Sequence, residues 1–598
     1  MTFRGIGFWA ALLLLPAISF AEDDQFLSVD KITPGMKGYG KTVFQGEKVE
    51  RFEAEIISVV KNTMPKGDMI LARLSGGPLK ESGLIAGMSG SPVYINDKLI
   101  GAVAYGWIFA KEPIAGITPI HEMMRVGEQA GKNPGPADAA DLGPSPRESP
   151  FAKIGTDPIF APSEKWGLSL FSHGARALPL PVMVSGASPA TLRMLSASLE
   201  PFNMFPVAGG APAGAVSGKP LFEPGSPLGV QLVRGDVDMV AVGTLTYRNG
   251  NKILAFGHPM LQSGDTDMPM VGAYIHTVIA TQDRSFKLGG STAMLGRIVE
   301  DRRAAVSGEV GRFARMIPCT VTVKNLVSGQ EHVYRYEMIH QRMLTPALVE
   351  SVASDSVGAT EGITGDSMVG LSADLRVQGR AQPIRLENLY FESGGLGTGF
   401  MDVTQRVAAL MNNPFEPVRM EAFDIKASVR PGRQTAVIDS ITADKRSVKA
   451  GETAHLRVNL RPYKSDALIS VPFDVALPES LAADRTLTVA ASDAMTARLL
   501  DRMANPALFK PEGLEQLLAL IERRDDNRDI VLRVTMPSVG VSLHGETLPT
   551  LPSSMITIIA FGNQSSATPA VSEIVQRKQT EWVLTGSQSL SLVVEQER

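Results

Sequence analysis

Gly87-Met88-Ser89-Gly90-Ser91-Pro92 stands between a strand-like run, Met69 to Leu74, and a hairpin whose arms are Val93 to Ile95 and Leu99 to Ala104. Small residues let the backbone turn sharply, so that a serine hydroxyl is presented while amide hydrogens converge on one point. Two readings of this turn are open. In one, Ser89 attacks a carbonyl and the N–H groups of Gly87 and Ser89 stabilise the developing oxyanion. In the other it is a plain Gly/Ser turn, the more frequent use of such residues.

A serine hydroxyl needs a base, and the chain has eight histidines. Met239 to Tyr247 and Lys252 to Phe256 flank Asn249-Gly250, a pair favoured in two-residue hairpin turns, and this hairpin delivers the chain to Gly257-His258-Pro259. The tight turn makes His258 the strongest candidate on local context, although a histidine at a strand end is also an ordinary hydrogen-bonder. His121, His173, His276, His332, His340, His455 and His544 lack such a setting.

Around these two turns the chain has 598 residues, more than one core usually supports, so three or four domains are expected. The hydrophobic fraction of 44% and charged fraction of 20% are those of a globular protein. A formal charge of -4 without a Lys/Arg run gives no field for phosphate backbones, which argues against nucleic acid as a partner. Residues 1–21 read as a secretory leader: Arg4, an apolar stretch Phe8 to Phe20, and small residues at a cut after Ala21. The expected location is therefore exported, periplasmic or extracellular, and no later apolar run is long enough to span a bilayer. Cys319 is the only cysteine, which excludes an internal disulfide. No zinc or phosphate-loop motif occurs. Asp265-Thr266-Asp267 lacks the Gly and Glu of a calcium loop, and Gly395-Leu-Gly-Thr-Gly399 ends on Phe400 where a dinucleotide turn needs Gly. No cofactor is implied.

Asp68 to Val103 resembles the serine-bearing half of SpoIVB-type serine peptidases. Val242-Gly-Thr-Leu-Thr-Tyr247, Phe256-Gly-His-Pro-Met260 and Asp265-Thr-Asp267 are similar to that family's histidine-bearing half, and Gly296 to Glu300 and Gly308 to Gly311 extend the likeness. The resemblance implies a mainly β, chymotrypsin-like double β-barrel with Ser89 as nucleophile and His258 as general base. It implies Gly87 and Ser89 as the oxyanion hole. The family carries histidine before serine, so the halves here are in permuted order. Where the family places its aspartate, this chain has Leu74-Ser75-Gly76. Asp267 is the first candidate to orient His258, Asp265 the second, and the Ser75 hydroxyl an uncharged substitute.

The expected organisation is a serine-bearing half at 22–126, a Gly/Pro-rich linker at 127–165 and a histidine-bearing half at 166–380. A connecting strand-helix segment at 381–430 follows, then an immunoglobulin-like β region at 431–598 with a helical insertion near 493–524. Glu387 to Ser393 nearly spells a tag-removal site but reads as a native strand. The expected activity is cleavage of protein or peptide substrates in the cell envelope. The alternative is a weak or inactive peptidase-fold scaffold that binds envelope partners.

Overall fold

The computed structural model describes residues 25–64, 67–107, 109–129, 175–211, 222–361, 365–393, 398–481, 483–504, 506–523, 525–543, 546–548, 555 and 568–595. The leader at 1–21 and residues 130–165 of the linker lie outside these.

The first barrel is built from β1 (Lys37–Thr42), β2 (Glu50–Met64), β3 (Gly67–Ser75), β4 (Pro92–Ile95), β5 (Lys98–Gly106) and β6 (Ile114–Pro119). Along β2 the buried Phe52, Ala54 and Ile56 alternate with exposed Arg51, Glu53 and Glu55, the period of a strand with one wet face. The strands pair in the order β1-β2-β3-β6-β5-β4, and β4 returns to β1, closing a six-stranded ring. Phe52, Ile56, Ile70, Leu74, Met88 and Val93 belong to its core.

The second barrel consists of β7 (Pro227–Gly235), β8 (Asp238–Asn249), β9 (Lys252–Ala255), β10 (Gly264–Ile279), β11 (Phe286–Arg302) and β12 (Ala305–Val310). Its ring runs β7-β8-β9-β12-β11-β10 and back to β7. Numbered from its own first strand, each ring therefore reads 1-2-3-6-5-4, and the two barrels are one topology used twice. Ser89 lies between β3 and β4 and His258 between β9 and β10, so both occupy the third-to-fourth-strand connection of their barrel.

The barrels are joined along a polar-backbone seam. Gly46 and Ile275 exchange hydrogen bonds of 2.6 and 3.1 Å, and Ala86 N–H donates to the Ser285 carbonyl while Lys287 N–H donates to the Ala86 carbonyl. β8 is apolar from Met239 to Val242 and buried from Met239 to Thr246 because both of its faces are covered. Met239 and Ala241 face one core, Val240 and Val242 another.

The segment at 381–430, expected as a connection, is integral to the sheet that contains the second barrel. Ile384–Ser393 pairs with Asp366–Val377, and Met420–Pro431 lies between that strand and Met316–Asn325. Glu387 to Ser393 falls within the first of these strands. Beyond it, two sheets share one core of residues such as Leu456, Val458 and Phe473 from one and Val489, Val534 and Leu592 from the other, a β-sandwich. Helices Ala494–Ala504 and Leu514–Glu522 interrupt its strands.

Candidate active site

The serine turn is held almost entirely by backbone hydrogen bonds whose partners come from both barrels. Met88 N–H donates to the Ile85 carbonyl, Gly90 N–H to Val103, and Ser91 N–H to Met88. The carbonyls are equally occupied. Lys287 N–H holds that of Ala86 and Thr244 N–H that of Ser89, at 3.1 and 2.8 Å. The Thr244 hydroxyl donates to Gly87 at 3.0 Å and the Thr246 hydroxyl to Gly90 at 2.7 Å. Among the described residues, no acceptor takes the N–H of Gly87 or of Ser89. Nearly every buried amide in a folded protein is paired, so two spare donors two residues apart are a prepared site for negative charge.

Glycine is required where the turn meets the second barrel. Gly90 has φ +92°, and a Cβ there would lie 2.0 Å from the Thr244 carbonyl oxygen and 2.5 Å from Phe256 N. This contact brings the serine turn against the segment that presents His258. Phe256 itself adopts φ +69° and Gly257 φ +72°. A bulky residue at positive φ is strained, and such strain persists where surrounding packing over-determines it. The Phe256 ring is fully buried against Gly243, and the Thr118 hydroxyl of the first barrel donates to the Gly257 carbonyl at 2.6 Å.

His258 is 2% exposed and Ser89 0%. Nδ1 of His258 lies 2.7 Å from the Pro259 carbonyl oxygen, which can only accept, so Nδ1 carries the proton and Nε2 presents a lone pair. Burial lowers the imidazole pKa to about 4, against the raising effect of the Pro259 hydrogen bond, so the ring is neutral at neutral pH. Among the described residues, Nε2 of His258 and Oγ of Ser89 are both buried without a partner, and the two do not hydrogen-bond each other. Ser91 Oγ is likewise buried and unpaired.

None of the three groups expected from sequence to orient His258 hydrogen-bonds its ring among the described residues. Asp267 accepts from Arg297 at 3.3 Å and from the Arg315 N–H, Asp265 pairs with Arg302, and the Ser75 hydroxyl donates to Glu53. Nearness in sequence did not put either carboxylate on the ring, because β10 and β11 pair across register shifts at this end and the neighbouring arginines of β11 take both acids. The acceptor at Nδ1 is a backbone carbonyl.

Two charged residues missed from sequence lie within the site's framework. Lys287, fully buried at the start of β11, runs its stem along Gly87 and donates from Nζ to the Thr42 hydroxyl at 2.8 Å and to Thr244 at 3.5 Å. Burial lowers its pKa to about 7. Asp301, near the other end of β11 and also fully buried, accepts the N–H groups of Met260, Leu261 and Ser263 at 2.8, 2.6 and 3.3 Å. Burial is the largest influence and leaves its pKa raised, while the backbone N–H groups of Met260 to Ser263 act in the opposite direction and favour the charged form. Neither residue has a local sequence signal, since their placement depends on strand register. Among the described residues, no cluster of His, Cys, Asp and Glu could hold a metal ion.

No curated protein and no solved structure matches the chain. Residues 28–124 match the family model described as SpoIVB peptidase S55, a match that ends before the second barrel. The first barrel, with Ser89 in its third-to-fourth-strand turn, is thus the part of the chain that is similar to the SpoIVB-type serine peptidases.

Proposed function

We propose that the protein is an exported serine endopeptidase acting on envelope or secreted proteins. His258 Nε2 removes the Ser89 proton, Ser89 Oγ attacks the scissile carbonyl, and the N–H groups of Gly87 and Ser89 receive the oxyanion. His258 then protonates the leaving amine, and water releases the acyl group by the same route. The observation that carries this reading is that, among the described residues, the serine turn leaves two amides free and they are those of Gly87 and Ser89. Export rests on the leader-like residues 1–21. Among the described residues, no helix is long and apolar enough to cross a membrane.

The complete burial of Ser89 favours a second reading, a closed scaffold of the peptidase fold that binds envelope partners without turning them over. As a peptidase, the seam between the barrels must part to admit a polypeptide. The two readings separate when an unfolded polypeptide is incubated with the protein and its products are sequenced. Cleavage that disappears in Ser89→Ala supports the peptidase. Absence of cleavage, or cleavage retained in that variant, supports the scaffold.

A further inference from the structure

The Pro259 carbonyl that holds His258 and the Met260 N–H that donates to Asp301 belong to one peptide group. Asp301 Oδ1 lies 2.8 Å from Met260 N, and Pro259 O lies 2.7 Å from His258 Nδ1. A carboxylate, a planar amide and an imidazole therefore stand in one hydrogen-bonded line. An amide that donates to a carboxylate is polarised, its carbonyl oxygen becomes more negative, and each bond of such a chain strengthens the next in a low-dielectric interior.

The surroundings leave the carboxylate's charge directed at this turn. Asp301 sits opposite Gly264 of β10 and Val306 of β12, which fixes its position from both sides. Its neighbours Glu300 and Arg302 pair with each other, and Arg302 also pairs with Asp265. Among the described residues no cation pairs with Asp301; its other oxygen takes the Leu261 and Ser263 N–H groups, and the Gln262 N–H of the same turn also faces the carboxylate. A brace for the turn alone requires acceptors, which carbonyls supply at less desolvation cost. Among the described residues the carboxyl meets backbone N–H donors and no acceptor for a proton of its own, an arrangement that favours its charged form against the cost of burial.

We propose that Asp301 is a positioning residue for the Ser89 and His258 reaction. Through the Pro259–Met260 peptide group it supplies the negative charge that steadies His258 as an imidazolium. The assignment rests on His258 being the base and gives this chain a carboxylate at one remove from the ring.

The test uses the full chain with histidine labelled with ¹⁵N and the aspartate carboxyl with ¹³C, comparing wild type, Asp301→Asn and Asp267→Asn by NMR and by the rate of fluorophosphonate labelling at Ser89. Asp301→Asn should lower the pH midpoint of His258 and slow labelling about tenfold, the effect of one pKa unit. Asp267→Asn should move neither. A folded Asp301→Asn with an unchanged His258 midpoint overturns the proposal. If that variant does not fold, the wild-type protein decides: the Asp301 carboxyl carbon and the His258 Nδ1–H proton should share an inflection, and independent titration overturns the link. Failure of wild type to take probe at Ser89 would instead sink the peptidase reading, while the NMR comparison still judges the coupling.

Discussion

Replacing Lys287 by methionine should stabilise the protein below neutral pH. The side chain is 0% exposed, and among the described residues its ammonium has only the hydroxyls of Thr42 and Thr244 as partners. Moving a lysine from its ordinary value of 10.5 to about 7 costs the charged form about 5 kcal/mol. Loss of two neutral hydrogen bonds offsets about 1 kcal/mol each, and methionine keeps the stem that packs on Gly87, so a net gain of about 2–4 kcal/mol is expected at pH 6. The sign follows from proton counting. Between about 7 and 10.5 the unfolded chain holds a proton that the folded one has released, so wild-type stability rises with pH across that window and this contribution is flat below it. Calorimetry of wild type and Lys287→Met at pH 6 and pH 9.5 measures both effects. The variant should melt higher at pH 6, and its advantage should shrink at pH 9.5. A variant that is less stable at pH 6, or whose pH slope equals that of wild type, refutes the reasoning.

Ser89→Ala deletes a buried hydroxyl that has no partner among the described residues, so equilibrium unfolding should show stability unchanged within about 0.5 kcal/mol or slightly increased. Gly90→Ala places a Cβ 2.0 Å from the Thr244 carbonyl at φ +92°, and calorimetry should register a loss of about 3 kcal/mol or more as the barrel seam separates. Because the His258 pKa is lowered to about 4, probe labelling of Ser89 should be independent of pH down to about 5 and halve near 4; a midpoint near 6.5 would mean a solvated ring. The same shift makes His258 a source of acid lability, with stability falling as pH drops from about 6.5, where the unfolded imidazole begins to protonate, towards 4.

What could be read from sequence was what short segments encode by themselves. Asn249-Gly250 marks the hairpin whose arms pair as Asn249 with Lys252 and Leu245 with Ala255, and that hairpin leads directly to His258. The small residues from Gly87 to Ser91 marked a turn, and Gly90 proves indispensable because Thr244 approaches it. The rest is long-range. The acceptor of His258 is a main-chain oxygen, which no residue type advertises. Asp301 and Lys287 look like ordinary strand charges until register buries them, whereas Asp265 and Asp267, nearer to His258 in sequence, are drawn to Arg302 and Arg297. The parallel pairing of Met316–Asn325 with Met420–Pro431, which makes 381–430 part of the sheet, joins strands separated by about a hundred residues and leaves no local trace.

The most direct test of Ser89 as a nucleophile served by His258 is covalent capture. The full chain would be treated with a fluorophosphonate probe, digested, and the adduct located by mass spectrometry in wild type, Ser89→Ala and His258→Ala. One adduct on Ser89, lost in Ser89→Ala and strongly reduced in His258→Ala, is the expected result. An adduct on another serine, or one on Ser89 that forms equally fast without the imidazole, would contradict it.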